Sequence, residues 1–154
     1  MRRHRWVLVL TAVLTLALAL PAGATKPSEV DIAVETSLLG DPSTFVASGP
    51  AVDDGLICSD GDIVDESGKV TGFSRNGFNF QGVKHFTCAD GTGEFFVNLQ
   101  ARIDFRKGTT FRWNVLRGTG DYEDLHGAGR GVGLELCGEN CVLDLYEGGL
   151  HVDP

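Results

Sequence analysis

The clearest pattern in this chain of 154 residues is a strict alternation running from Phe95 to Arg106. Phe95, Val97, Leu99, Ala101, Ile103 and Phe105 fall on one side of an extended backbone, and Phe96, Asn98, Gln100, Arg102, Asp104 and Arg106 on the other. Successive side chains of a strand point to opposite faces, so a period of two sustained this long predicts a strand with one buried face and excludes a helix. Lys107-Gly108-Thr109 predicts a hairpin turn, with Phe111, Trp113 and Val115 alternating against Arg112 and Asn114 on the return. Val30, Ile32 and Val34 alternate with Asp31, Ala33 and Glu35 in the same way.

Shorter strands are expected over Thr44 to Ser48, Phe78 to Cys88, Gly127 to Leu136, Cys141 to Tyr146 and Leu150 to Val152. A further one is expected over Leu56 to Val64, interrupted at Asp60-Gly61. Gly40-Asp41-Pro42-Ser43 and Ala89-Asp90-Gly91-Thr92-Gly93 read as turns, and the polar stretch Asp65 to Asn76 as a loop. No segment of ten or more residues beyond the N-terminus has helical periodicity. About eight short strands with frequent turn signals predict an all-β domain, a single antiparallel up-and-down barrel. A β-sandwich is the alternative, but the Cys–Trp–Cys order of an immunoglobulin-like domain is missing, since Trp113 follows Cys88.

Beyond the return strand of that hairpin, and running into the strand expected at Gly127, lies a glycine-rich segment, with glycines at 118, 120, 127, 129, 131 and 133. Glycine serves where φ must be positive or backbones approach closely. Gly118, Gly120, Tyr122, Leu125, Gly127 and Gly129 are therefore read as a structural corner. The Tyr122 ring is expected to pack on the barrel end with its hydroxyl tied to backbone.

The first 24 residues read as a signal peptide. Arg2, Arg3 and Arg5 precede an apolar run from Trp6 to Leu20, then Pro21 and the small residues Ala22-Gly23-Ala24. The run is about 15 residues, short of the roughly 20 that span a bilayer. The expected mature domain is 25–154, secreted and not held in a membrane. Removing the leader takes away three bases and no acids, leaving ten bases against 21 acids, a net charge of −11. Such a surface repels phosphate backbones and argues against nucleic acid as a partner.

All four cysteines, Cys58, Cys88, Cys137 and Cys141, fall in the mature region. An even number in an exported chain implies disulfides. Cys137 and Cys141 are close enough to pair across a turn, which leaves Cys58 for Cys88. The longer loop is worth roughly 3.5 kcal/mol in chain entropy and the shorter about 2. The spacing does not suit zinc.

Candidate chemistry is sparse. A ligand or catalytic site inside a barrel needs one or two polar groups in an apolar cavity. His85, Glu94, Arg102, Glu135 and Tyr146 lie in strand segments and are the candidates, although an outward, solvated position is the plain reading of Arg102, which shares a face with Gln100 and Asp104. Lys84 and His85 point to opposite faces. Phe86 and Cys88 share the side of Lys84, which can snorkel, so His85 is singled out for ligand contact. Asp53, Asp54, Asp60, Asp62, Asp65 and Glu66 form an acidic cluster without an EF-hand pattern, read as a solvated loop, and no metal is expected. There is neither a nucleophile elbow nor a phosphate loop.

Gly118-Thr119-Gly120-x-Tyr122-x-x-Leu125-x-Gly127-x-Gly129 resembles the glycine corner of the allene oxide cyclase-like and dirigent-like β-barrels. Phe86-Thr87-Cys88-Ala89-Asp90-Gly91-Thr92-Gly93 and Trp113-x-Val115-Leu116-x-Gly118-Thr119-Gly120 look like elements of uncharacterised secreted bacterial proteins with this barrel. The resemblance covers about Phe45 to Tyr146. It implies an eight-stranded antiparallel barrel with no cofactor, often a homo-oligomer. Plant members cyclise an epoxide or steer radical coupling, but only the glycine corner aligns, so no catalytic residue carries over. The expectation is a binder of a small apolar molecule or of a protein partner. The alternatives are a cofactor-free cyclase or isomerase acting inside the barrel, or an exported structural protein with a filled barrel.

Overall fold

The structure, a computed structural model, describes residues 26–37, 43–138 and 141–153, with backbone alone at 37 and 135–138. The expected leader lies outside these residues, as do the turn at 38–42 and the side chains of Glu135 and Cys137. Eight antiparallel strands form a closed barrel in sequence order: β1 (Ser28–Ser37), β2 (Ser43–Ser48), β3 (Asp60–Ser74), β4 (Gly77–Cys88), β5 (Gly93–Asp104), β6 (Gly108–Gly120), β7 (Leu125–Gly138) and β8 (Cys141–Val152). Closure comes from β8 lying against β1, from Ser28 opposite Leu150 to Ser37 opposite Cys141. A single helical turn, α1 (Pro50–Asp53), sits between β2 and β3.

The alternation of β5 sets the wall. Phe95, Val97, Leu99 and Ala101 face the interior and are buried, as are Phe111, Trp113 and Val115 of β6 opposite them. Leu116 is an extra residue in β6, a bulge between the pairs Phe96–Arg117 and Val97–Val115. A bulge bends and twists its strand. It brings Gly118 inward, where an added side chain would strike the backbone of Tyr122.

One end of the barrel is closed. Ala51 of α1, Ile57, Tyr122, Leu125 and Leu150 fill it, beneath rings of Phe45, Phe86 and Phe95. Gly120 turns the corner at φ +62°. Tyr122 stands edge-on to Phe95 at 5.8 Å. Its hydroxyl binds the Thr92 side chain at 2.5 Å, not backbone as the sequence suggested. Thr92 Oγ1 donates in turn to Asp90 Oδ1, so the Tyr122 hydroxyl is the donor to Thr92. The Cys58–Cys88 disulfide ties the segment after α1 to the end of β4 beside this hydroxyl. Cys141 is also disulfide-bonded, while the side chain of Cys137, its expected partner, lies outside the described residues.

The alternating glycines of β7 have a packing reason. Gly127, Gly129 and Gly131 face inward, and a side chain at each would collide with Leu150, Trp113 and Phe111 respectively. The two rings therefore lie against bare backbone, and both reach Tyr146 of β8, at 6.2 and 4.6 Å between centroids. From Tyr122 through Phe95, Phe86 and Tyr146 to Phe111, the rings form one continuous chain of edge-on, stacked and tilted contacts.

Two strands depart from the sequence reading. Asp65 to Asn76 is not a loop: β3 continues to Ser74 and pairs with β4 throughout. Both its faces are exposed beyond Ile63, so no alternation marks it, and Glu66 is inserted as a bulge between Asp65 and Ser67. Leu56 to Ser59 is not strand, because the chain leaves α1 in turns and β3 begins at Asp60. Phe105, placed inward by parity, is 59% exposed in the β5–β6 turn, where the strand has ended.

Gly131→Ala should lower stability by about 1–3 kcal/mol through overpacking against Phe111 and the β8 backbone. Urea unfolding checks this: an unchanged midpoint would mean that the ring does not depend on the missing side chain.

Candidate functional site

β4 carries Lys84 and His85 to opposite sides of the wall. Lys84 points inward with Phe86 and Cys88 and is only 7% exposed. Opposite it in register stands Asp65 of β3, and Lys84 Nζ lies 2.6 Å from Asp65 Oδ1. The ammonium does not snorkel away from the barrel; it meets a carboxylate that is itself half exposed. Removing charges from water costs several kcal/mol per ion, which such a pair only partly recovers.

β8 completes the group. Tyr146 is 1% exposed among Phe86, Phe111 and Trp113. One inward step farther from α1 stands Asp144, opposite Val34 of β1 and Gly133 of β7. Burial pushes the Asp144 carboxyl above the usual carboxylate range; the Lys84 charge pulls it down and the Asp65 charge pushes it up. Burial also raises the Tyr146 phenol, with Asp144 and Asp65 adding to the effect, so it remains a neutral donor. Its hydroxyl is buried with no hydrogen-bond partner among the described residues, as is that of Thr36. Buried polar atoms are nearly always paired, so a buried hydroxyl with no partner among the described residues, within the field of Asp144 and Asp65, marks a place for a polar group.

On the inner face of the wall, then, are a buried cation (Lys84) with its half-exposed carboxylate partner (Asp65), a carboxyl group raised by burial (Asp144) and a buried neutral phenol (Tyr146). Together they can donate to and accept from one oxygen-bearing group, or exchange a proton with it.

The other candidates sit elsewhere. His85 faces outward, against the expectation of contact with a ligand in the barrel. Its ring stacks on Phe96 at 4.2 Å and its Nε2 lies 3.0 Å from Glu94 Oε2. Arg117 covers the other side of Phe96, with its guanidinium carbon 3.7 Å from the ring centroid. That cover explains why Phe96 is buried on an outer face. Arg102 is exposed on the outer wall of β5, and the Glu135 side chain lies outside the described residues. The acidic cluster disperses: Asp65 pairs with Lys84 and Glu66 lies 3.7 Å from Arg117. Among the described residues no group of acids, histidines and cysteines could hold a metal.

Sequence reasoning ranked His85 above Lys84 and did not consider Asp144. The signal was present in both cases. Lys84 shares the parity of Phe86 and Cys88, and Asp144 shares that of Tyr146 within Val142-Leu143-Asp144-Leu145-Tyr146.

Asp144 gives a pH test. Its folded carboxyl is harder to ionise than the unfolded one, so its contribution to stability is present at acid pH. That contribution is lost as pH rises from the ordinary carboxylate range through the raised value. Asp144→Asn should therefore raise the melting temperature at neutral pH, with the difference closing as pH falls into the ordinary carboxylate range. Thermal unfolding followed across pH checks it; a constant difference would argue against ionisation as the cause.

No family model matches the chain, and no curated protein or solved structure matches it.

Proposed function

We propose that this is an exported barrel of the allene oxide cyclase-like type that binds a small, largely apolar molecule by one oxygen-bearing group. The group is held by Lys84, Asp144 and Tyr146, at the level where the stacked rings give way to polar side chains. The observation that carries this reading is the Tyr146 hydroxyl, fully buried and without a partner among the described residues. The rings of Phe86, Phe111 and Trp113 around it supply apolar contact, and Lys84 a charge-assisted donor.

Export is supported by the basic, apolar and small-residue order of residues 1–24, and by the disulfide between Cys58 and Cys88. The strong negative charge continues to argue against nucleic acid, and no helix among the described residues is long and apolar enough to cross a membrane.

A second reading, a cofactor-free isomerase or cyclase, is favoured by one specific feature. Asp144, raised by burial and facing the Lys84 charge, has the character of a general acid or base. In that reading Asp144 moves the proton while Tyr146 and Lys84 steady the oxygen.

Tyr146→Phe separates these ideas from a filled structural barrel. Native mass spectrometry of the protein from its secretion medium should show a small-molecule adduct on the wild type and at least about tenfold less on the variant. Stability should be equal or greater, since the lost hydroxyl was unpaired. Absence of an adduct on the wild type would favour the filled structural barrel. Asp144→Asn should retain the adduct if the protein is a binder and accumulate unconverted ligand if it is an enzyme.

A further inference from the structure

The outer wall carries a second feature, independent of the barrel interior. Across β4, β5, β6 and β7 the register aligns Gln81, Gln100, Arg112 and Arg130 in one row at right angles to the strands. At a strand spacing of about 4.8 Å the row spans roughly 14 Å. Asn79 and Arg102 stand in the adjacent row, opposite one another. These side chains line a concavity of about 650 Å3 on the outside of the barrel. That volume is in the range of sites for small molecules.

The row contains a repulsion that the fold does not need. Arg112 and Arg130 are directly opposed on neighbouring strands, where like charges destabilise a sheet. Arg130 has some relief, its Nε 3.9 Å from Glu147 Oε2, with both groups exposed. Arg112 has no ion pair among the described residues; its other cross-strand neighbour is the uncharged Gln100, and Arg102 stands diagonally beyond. A chain with 21 acids and 13 bases has thus gathered three guanidinium groups on one face. Glu29 and Asp31 lie past Glu147 on the far side, in a neighbouring hollow that Arg112 and Arg130 also line.

Opposed guanidinium groups are relieved by an anion placed between them, and their forked donors match a carboxylate. The rest of the row is amide. Gln81, Gln100 and Asn79 each offer a donor and an acceptor, the complement of neighbouring hydroxyls. A peptide would seek unpaired backbone, but β5 and β6 are paired on both sides along this row, so only side chains are on offer.

We propose that this face binds a carboxylate-bearing saccharide, with its carboxylate between Arg112 and Arg130 and its hydroxyls along Gln100, Gln81 and Asn79.

Calorimetric titration of the whole secreted chain with tri-galacturonate, at low salt, tests it. Wild type should bind, and Arg112→Thr should bind at least about tenfold more weakly. The same variant should melt at a higher temperature, because the repulsion is gone and a β-branched residue replaces it, so weaker binding cannot be ascribed to misfolding. Lys84→Met should bind as the wild type does, which separates this face from the barrel interior. The proposal is overturned if wild type does not bind, if a neutral trisaccharide binds equally, or if Arg112→Thr binds unchanged. Sulfate competing at the affinity of the saccharide would mean an adventitious ion only. Tighter binding of hexaglutamate would replace the saccharide with an acidic peptide. A dimer in sedimentation that Arg112→Thr converts to monomer would make the occupant a second copy.

Discussion

Rings lying on bare backbone hold this barrel in shape. Phe111 and Trp113 occupy the space that side chains of β7 would take, and that contact fixes how near β6, β7 and β8 can come. Tyr146 is wedged against both rings and against Phe86, so the glycine stripe on one wall sets the position of the phenol. A strand with larger residues at 129 and 131 would collide with Trp113 and Phe111 and displace the rings against which Tyr146 packs.

The interior is divided along its length. Toward α1 it is an apolar core of conventional kind, with Phe45, Phe86 and Phe95 in edge-on and stacked contacts near 5 Å. Past Tyr146 the inward positions include Lys84, Asp65 and Asp144 among apolar neighbours such as Val34 and Ala101. Filling those positions with aliphatic residues would give a more stable protein, since charges taken from water recover only part of their hydration. Their presence, together with a phenol that has no partner among the described residues, is a departure from good packing of the kind found where a fold has been made to do something.

The fold was legible because β5 and β6 show their burial in the sequence. Val97 through Ile103 and Phe111 through Val115 alternate without a break, and only Phe96, covered on the outer face, interrupts the pattern. The outer half of β3 was illegible for the opposite reason: Glu66 to Ser74 has solvent on both faces, so its residues answer to no pattern, and Gly68 and Gly72 imitate a loop. The glycines from 127 to 131 announced themselves, but only the structure shows that they make room for rings from a neighbouring strand. In the interior, parity placed Lys84 with Phe86, and the prior that lysine stays in water overrode it. Asp65 could not be seen as its partner while the segment containing it was read as a loop. Register between distant strands, which sequence periodicity does not contain, made the pair and also aligned Arg112 with Arg130.

The wall of the barrel is uneven. β2 meets β3 only from Ser43–Ile63 to Val46–Asp60, whereas β4 and β5 stay paired from Gly77–Asp104 to Thr87–Glu94. Among the described residues, β3 beyond Ile63 is held from the β4 side alone, and Asp65, the partner of the buried ammonium, stands at the start of that stretch. Among the described residues the shortest seam thus lies next to the buried ammonium of Lys84. Local opening at that seam would separate few of the backbone hydrogen bonds seen among the described residues, and it would bring water to Lys84 from the side of the wall.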